Sequence, residues 1–231
     1  MATYVLIHGA GSDSTYWGLV RPLLEAAGHR VITPDLPVDD DNAGLAEYKE
    51  SVLSAAGKER GVILVAQSMG GFTAPLVVEE LDAALLILVA AMIPAPGESP
   101  GDWWTNTGSA HARRENDVRE GRDPDADFDP LVTFLHDLEP EALSFAFAHE
   151  PRPQSDTPFA KPWPLERWPE VTTEVLICSD DRFFPVDFMR RVCRERLGIT
   201  PDEMECGHLP ALAQPKELMQ RLEGYRTAHG V

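Results

Sequence analysis

The stretch that most constrains how this chain can fold runs from Val62 to Thr73 and reads VILVAQSMGGFT. Its aliphatic first third leads into small and polar residues around Ser68, after which apolar residues return at helical spacing. This pattern predicts a buried strand, a sharp turn and a helix. With Ala66 two positions before the serine and Gly70 two after it, the turn matches the G-x-S-x-G nucleophile elbow, whose tight backbone admits only small neighbours. An ordinary strand-to-helix turn with a serine at the bend is the alternative.

Short apolar strands alternate with helices along most of the chain. We predict strands over residues 4–7, 30–33, 62–65, 85–91, 174–178 and 203–206. We predict helices between 14 and 28 and over 45–56, 186–197 and 215–225, together with the helix that follows Ser68. Continuous apolar strands separated by helices indicate an α/β fold, a mostly parallel sheet of about six strands with helices on both faces.

Residues 94–169 interrupt this alternation. The segment holds twelve of the twenty prolines and four of the five tryptophans. Helical patterns are visible within it only over about 131–138 and 140–149. A disordered loop is the alternative, but the aromatic residues need burial and loops of this length in compact domains are usually functional. We therefore predict an inserted helical cap, with core parts over residues 1–93 and 170–231.

Composition excludes several classes of function. The formal net charge of −18 and the pI near 4.7 disfavour binding to nucleic acid or to an anionic membrane surface. No apolar run approaches the roughly 20 residues of a spanning helix, and the opening residues MATYVLIHG lack a leader pattern. Three widely spaced cysteines form no metal-ligand motif. We expect a cytoplasmic protein without a metal site, and oligomeric state is not readable.

An activated serine needs a base within hydrogen-bond reach, and that base needs an orienting acid. Asp180 and Asp181 follow the predicted strand over 174–178, where side chains lie at the edge of a parallel sheet. His208 follows the last predicted strand, in the small-residue sequence CGHLP. Serine, acid and histidine thus occur in the order expected for this chemistry on an α/β sheet. Acids in a turn or helix cap and a solvated loop histidine are the alternatives.

The sequence His8-Gly9-Ala10-Gly11 follows the first predicted strand. At this place a loop can supply a backbone N–H to a developing oxyanion, and the residue after the nucleophile supplies a second. By position these donors are the amides of Ala10 and Met69. A glycine-rich turn or a phosphate-binding loop is the alternative, although the stretch lacks G-x-G-x-x-G and a Walker lysine.

Together these motifs resemble the α/β-hydrolase superfamily over nearly the whole chain. The sequences HGAGSDSTYW, DRFFPVDF and GHLPAL look like the branch that holds plant methylesterases, hydroxynitrile lyases and bacterial relatives of unassigned substrate. The resemblance implies that Ser68 is the nucleophile, His208 the base and Asp181 the acid, since the family places its acid four residues before a proline, here Pro185. It also implies the oxyanion amides of Ala10 and Met69. The commonest form of the elbow begins GHS, whereas this chain has AQS.

The resemblance also separates reaction types. One group of hydroxynitrile lyases has a lysine directly after the catalytic histidine, where this chain has Leu209, and a threonine in the oxyanion loop near Ala10 or Gly11. Both departures favour ester hydrolysis. A serine at position 68 disfavours the epoxide hydrolases and haloalkane dehalogenases of this fold, which use aspartate. A cofactor-free lyase, a perhydrolase and a non-catalytic small-molecule binding protein remain alternatives.

The expected partner is a small-molecule substrate, an apolar ester, and no cofactor is implied. Trp103, Trp104 and Leu209 are candidate substrate-binding residues, because aromatic and aliphatic side chains in the cap and beside His208 suit an apolar pocket. Packing within the cap is the alternative for the two tryptophans.

Overall fold

The computed structural model describes residues 1–149 and 151–231 and contains one six-stranded sheet in which every neighbouring pair is parallel. The strands are β1 (Thr3–Ile7), β2 (Arg30–Ile32), β3 (Ile63–Gln67), β4 (Leu85–Val89), β5 (Thr173–Cys178) and β6 (Asp202–Met204). Their order across the sheet is β2-β1-β3-β4-β5-β6. The predicted α/β fold with about six strands is therefore confirmed, and each predicted strand is present with bounds shifted by at most two residues.

Strands β3 and β4 lie at the centre of the sheet and are buried at every position. Successive β3 residues contribute to opposite cores, with Ile63 and Val65 on one face and Leu64 and Ala66 on the other. Since strand side chains alternate between faces, a continuous apolar run is what a sheet covered on both sides requires.

The described residues contain eleven α-helices. They are α1 (Arg21–Ala26), α2 (Leu45–Ala56), α3 (Gly70–Thr73), α4 (Pro100–Thr107), α5 (Ser109–Arg119), α6 (Pro130–Thr133), α7 (Pro140–Phe147), α8 (Thr157–Ala160), α9 (Val186–Leu197), α10 (Pro210–Ala213) and α11 (Pro215–Ala228). Short 3-10 helices cover Ser14–Trp17 and Ala74–Val77. No helix in the described ranges has both the length and the apolarity needed to cross a bilayer.

Two predicted helices differ in detail from the structure. The single helix expected between residues 14 and 28 is a 3-10 turn followed by α1, and the Asp13 side chain caps that turn by accepting from the Thr15 amide. The helix after Ser68 changes from α to 3-10 at Ala74, next to Pro75. Proline cannot donate to the α-helical hydrogen-bond ladder, which explains a change at this point.

The inserted segment carries α4 to α8 and packs onto the core through buried tryptophans. The indole N–H of Trp103 donates to the Ile93 carbonyl at 3.0 Å, and that of Trp163 donates to the Phe72 carbonyl at 3.1 Å. The helix expected over 131–138 is only the short α6, and that over 140–149 is α7. Helices α4 and α5 were not predicted. We propose residues 94–169 as a cap on the sheet formed by the flanking parts.

Candidate active site

Ser68 lies at the turn between β3 and α3. Its φ of +50° is in the left-handed region, which residues other than glycine rarely adopt. The neighbouring glycines explain why the turn accepts only small residues. A Cβ on Gly70 would lie 3.0 Å from the carbonyl oxygens of Ile7 and His8, and one on Gly71 would lie 1.9 Å from the Met92 carbonyl oxygen. The chain after β1 and the chain after β4 thus press on the elbow from both sides.

The structure brings Ser68, His208 and Asp181 together in one chain of hydrogen bonds. The Ser68 Oγ lies 3.1 Å from the His208 Nε2, and the His208 Nδ1 lies 2.7 Å from the Asp181 Oδ2. His208 and Asp181 are each only 2% exposed, whereas Ser68 is half-buried and reachable. A nucleophile on a reachable face with its base and acid behind it has the geometry of nucleophilic catalysis.

The carboxylate of Asp181 is held at both oxygens. Its Oδ1 accepts the backbone N–H groups of Phe183 and Phe184, each at 2.8 Å, while its Oδ2 faces His208. Asp180 is exposed, and its backbone amide donates to the Cys206 carbonyl. Of the two adjacent acids, only Asp181 meets the histidine.

The two candidate oxyanion donors have free amides. Within the described residues, the backbone N–H groups of Ala10 and Met69 have no hydrogen-bond acceptor in the protein. Met69 directly precedes α3, and Ala10 is exposed in the loop after β1. Both N–H groups therefore remain available to a substrate oxygen.

His8 positions the loop that carries Ala10. Its ring is fully buried, with Nδ1 2.8 Å from the Gly9 carbonyl oxygen and Nε2 accepting the Leu36 amide at 3.1 Å. This pattern requires a neutral ring with the proton on Nδ1, and burial lowers the pKa of His8, which favours that form. On the far side of the loop, the Gly11 amide donates to the Gln154 side chain of the cap at 2.9 Å.

Gln67 connects the loops on either side of the nucleophile, a role that sequence reasoning missed. Its side-chain Nε2 donates to the backbone carbonyl of His208 at 3.1 Å, and the residue is 3% exposed. Its Oε1 lies against Gly9, so close that a Cβ there would be only 2.6 Å away. The departure from GHS to AQS was the available sequence signal, but nothing in one sequence says what the glutamine contacts.

We expect Gln67→Leu to lower kcat about tenfold, because the His208 carbonyl loses its buried donor and the base is held less firmly. KM should change less, since Gln67 lies behind the nucleophile. Steady-state kinetics on one ester, with thermal unfolding as a check on folding, measure this. Gln67→His, which keeps a ring N–H donor, serves as the conservative control. A Gln67→Leu enzyme with the kcat of the wild type would contradict this role.

An aromatic wall surrounds the base. The ring centroids of Phe134, Phe183 and Phe184 lie 5.4, 5.2 and 4.9 Å from the His208 ring. Trp104 is half-buried and extends this wall by packing on Phe183 at 5.4 Å. Such surroundings are apolar and strengthen electrostatic interactions at the site.

The other two candidate pocket residues differ in position. Trp103 is fully buried and packs on Phe184 and Phe188, with its indole N–H bonded to the Ile93 carbonyl. It is therefore a core residue in this structure and not part of the surface beside Ser68. Leu209 is half-buried next to the base. We retain Trp104 and Leu209 as proposed substrate contacts.

The proposed cap is bonded directly to the loop that carries His208. The Asp137 Oδ2 accepts the Gly207 amide at 2.6 Å, one residue before His208. The Arg182 Nη1, one residue after Asp181, donates to the Val132 carbonyl at 2.9 Å. Residues 132–137 of the proposed cap are thus held beside both Asp181 and His208. Sequence reasoning missed Asp137, because contacts between distant segments leave no local pattern.

Comparison with known proteins agrees with the α/β fold described above. The model of the alpha/beta hydrolase family matches residues 4–221. A pyrethroid hydrolase of Sphingobium wenxiniae is 29% identical over 245 residues, covering 97% of this chain and 87% of the relative. Polyneuridine aldehyde esterase of Rauvolfia serpentina is 26% identical over 252 residues, covering 95% and 93%. A crystal structure of polyneuridine aldehyde esterase superposes with a TM-score of 0.74 at 24% identity, covering 97% of this chain and 99% of that one. The chain belongs to the alpha/beta hydrolase family.

Proposed function

We propose that this protein is a serine hydrolase of carboxylic esters that works through a covalent acyl-enzyme. The observation that carries the proposal is the chain of hydrogen bonds from Ser68 through His208 to Asp181, at 3.1 and 2.7 Å. The names of the relatives, a pyrethroid hydrolase and an esterase, point the same way.

In the acylation half, the His208 Nε2 takes the proton of the Ser68 hydroxyl as the Oγ attacks the ester carbonyl carbon. The carbonyl oxygen becomes an oxyanion, and the amides of Ala10 and Met69 donate to it. Each such donor is worth about 2.7–4 kcal/mol of barrier in comparable sites. The protonated His208 then gives its proton to the departing alcohol oxygen as the ester C–O bond breaks.

In the deacylation half, His208 removes a proton from water, which attacks the acyl carbon, and the Ser68 Oγ leaves with that proton. Asp181 holds the imidazole with its Nδ1 protonated, so that Nε2 can accept, and offsets the positive charge that the ring acquires in both halves. The backbone amides of Phe183 and Phe184 fix the carboxylate in this orientation. The proposed reaction uses no metal or organic cofactor.

The substrate we propose is a small apolar ester. The support is the aromatic wall of Phe134, Phe183, Phe184 and Trp104 beside the base, which offers no charged group to a substrate. The net charge of −18 opposes association with nucleic acid and with anionic lipid surfaces. We place the protein in the cytoplasm on its three unpaired, buried cysteines.

A series of p-nitrophenyl esters from acetate to decanoate tests the proposal. We expect hydrolysis that requires Ser68, with the chain-length optimum reporting the size of the acyl pocket. The measurement is the initial rate of p-nitrophenolate release by the wild type and Ser68→Ala in parallel.

Labelling by an organophosphonate separates the alternatives. A protein that hydrolyses none of the esters but is labelled at Ser68 would have a working nucleophile and a different reaction, such as lyase or perhydrolase chemistry. The absence of both turnover and labelling would contradict the proposal and favour a small-molecule binding protein.

A further inference from the structure

A cavity of about 360 Å³ lies at the junction of the proposed cap with the core. Its walls come from α5, the loop that follows it, α6 and the core residue Arg182. Its volume is in the range of sites for small organic molecules. Ser68 and His208 are not among its lining residues.

Three half-buried arginines, Arg113, Arg122 and Arg182, line this arginine cavity. Arg122 pairs through its Nε with Asp117 at 2.8 Å, but its Nη2 is buried and has no hydrogen-bond partner among the described residues. Among the described residues, neither Arg113 nor Arg182 forms an ion pair, and the Nη1 of Arg182 donates to the Val132 carbonyl at 2.9 Å. Arg122 and Arg182 line the same cavity. Burial and the like charge of Arg122 lower the pKa of Arg182, and the nearby carboxylates of Asp137, Asp117 and Asp180 only partly oppose this lowering.

Four aspartates also line the cavity, and one of them, the half-buried Asp117, partly neutralises the arginines through its pair with Arg122. The other three, Asp123, Asp127 and Asp129, are exposed. Two of them are already engaged in turns, because Asp123 accepts the Asp125 amide and Asp129 accepts the Leu131 amide. Their exposure places these carboxylates in contact with solvent, which screens them, whereas the arginines are less hydrated.

The cavity wall also has an apolar part, contributed by Phe128 and Val132, which are 55% and 45% exposed. Guanidinium groups bind planar oxyanions through paired N–H donors, and a buried unpaired N–H is costly unless an acceptor satisfies it. An organic anion can accept hydrogen bonds from the arginines and also pack on the apolar part of the wall, whereas an inorganic anion can bind only the arginines.

We propose that the arginine cavity binds a small organic carboxylate, with its oxygens on Arg122 and Arg182, Arg113 beside them, and its apolar portion on Phe128 and Val132. That the cavity binds a carboxylate does not rest on the proposed function; only the first of the two sources named next does. The carboxylate has two possible sources. It belongs either to a substrate that carries a free acid group besides its ester or to a free acid that binds by itself.

Calorimetric titration of the Ser68→Ala protein with benzoate tests the site without turnover. We expect binding of benzoate, at least about tenfold weaker binding in Arg113→Gln and in Arg122→Gln, and unchanged binding in the matched control Arg194→Gln. Arg194 is an exposed arginine of α9 that does not line the cavity. Benzamide, which has the shape of benzoate without its charge, and inorganic phosphate should bind more weakly than benzoate.

Several outcomes would overturn the inference. They are the absence of benzoate binding, equal affinity for benzamide or phosphate, and an affinity for benzoate that neither arginine substitution changes in proteins with unaltered melting temperature. Arg122 is bonded to Asp117, and its substitution removes this bond. If Arg122→Gln fails to fold for this reason, the Arg113→Gln variant alone tests the inference.

Kinetics in the enzyme with Ser68 intact identify the source of the carboxylate. If the acid group belongs to the substrate, Arg113→Gln should raise KM for mono-p-nitrophenyl glutarate and leave KM for p-nitrophenyl butyrate unchanged. If a free acid is the ligand, added benzoate should change kcat/KM for p-nitrophenyl butyrate, and Arg113→Gln should remove this effect. If the enzyme hydrolyses both esters but shows neither effect, this result counts against the site and leaves the proposed function intact.

Discussion

Ser68→Ala should lower kcat by roughly four to six orders of magnitude, the range typical of the loss of a nucleophile that acts together with its base. The oxygen that forms the acyl bond is removed, and the His208 Nε2 loses its partner at 3.1 Å. What activity remains would come from the oxyanion amides and from binding, which do not require the hydroxyl. The measurement is p-nitrophenolate release with enough enzyme to detect the residual rate.

The fold should survive this change. Ser68 has a φ of +50°, and alanine has the same Cβ as serine, so the substitution adds no strain at the turn. The melting temperature is therefore expected to stay close to that of the wild type. Ser54→Ala, on the exposed side of α2, is the matched control and should leave kcat unchanged. A Ser68→Ala protein that keeps its rate on a purified ester would refute the assignment of the nucleophile.

Asp181→Asn should lower kcat by about 10⁴, the magnitude known for this substitution in a serine protease triad. The Oδ1 position accepts the amides of Phe183 and Phe184, so the asparagine oxygen is expected to stay there and its NH2 to face the His208 Nδ1. That nitrogen must then accept a hydrogen bond, which moves the ring proton to Nε2. A histidine protonated at Nε2 cannot accept the proton of Ser68.

Asp180→Asn provides the matched comparison, because Asp180 precedes Asp181 and is exposed. We expect its effect on kcat to be small, since only its backbone is engaged, through the Cys206 carbonyl. Rates for both variants on the same ester decide between the acids. A larger loss in Asp180→Asn than in Asp181→Asn would show that the wrong carboxylate has been assigned.

The features that sequence alone predicted are those specified locally. Strands β3 and β4 are continuous apolar runs because both faces are covered, and the elbow is recognisable because its backbone excludes larger side chains at Gly70. The place of His208 after a strand predicted its position, whereas the strand before Asp180 and Asp181 left both acids open, and the family resemblance selected Asp181. In the structure, the His208 Nδ1 lies 2.7 Å from the Asp181 Oδ2.

The features that sequence missed lack a local pattern. Helix α5 reads SAHARRENDVR and buries only Ser109 and Asn116, so it has no apolar stripe to reveal it. Trp103 and Trp104 look alike in sequence, but successive helix residues point about 100° apart, and only the first is fully buried. The roles of His8, Gln67 and Asp137 depend on partners that are brought near only by the fold.

The contacts of the cap bear on how such enzymes diversify. Asp137 holds the amide before the histidine, and Gln154 holds the amide of Gly11 in the oxyanion loop. Both side chains belong to the segment that would be exchanged when the substrate preference of a hydrolase changes. If the proposed cap sets the substrate preference, specificity and rate are therefore coupled in this protein. We expect that exchange of residues 94–169 for the corresponding segment of a relative preserves activity only when partners for the Gly207 and Gly11 amides are kept.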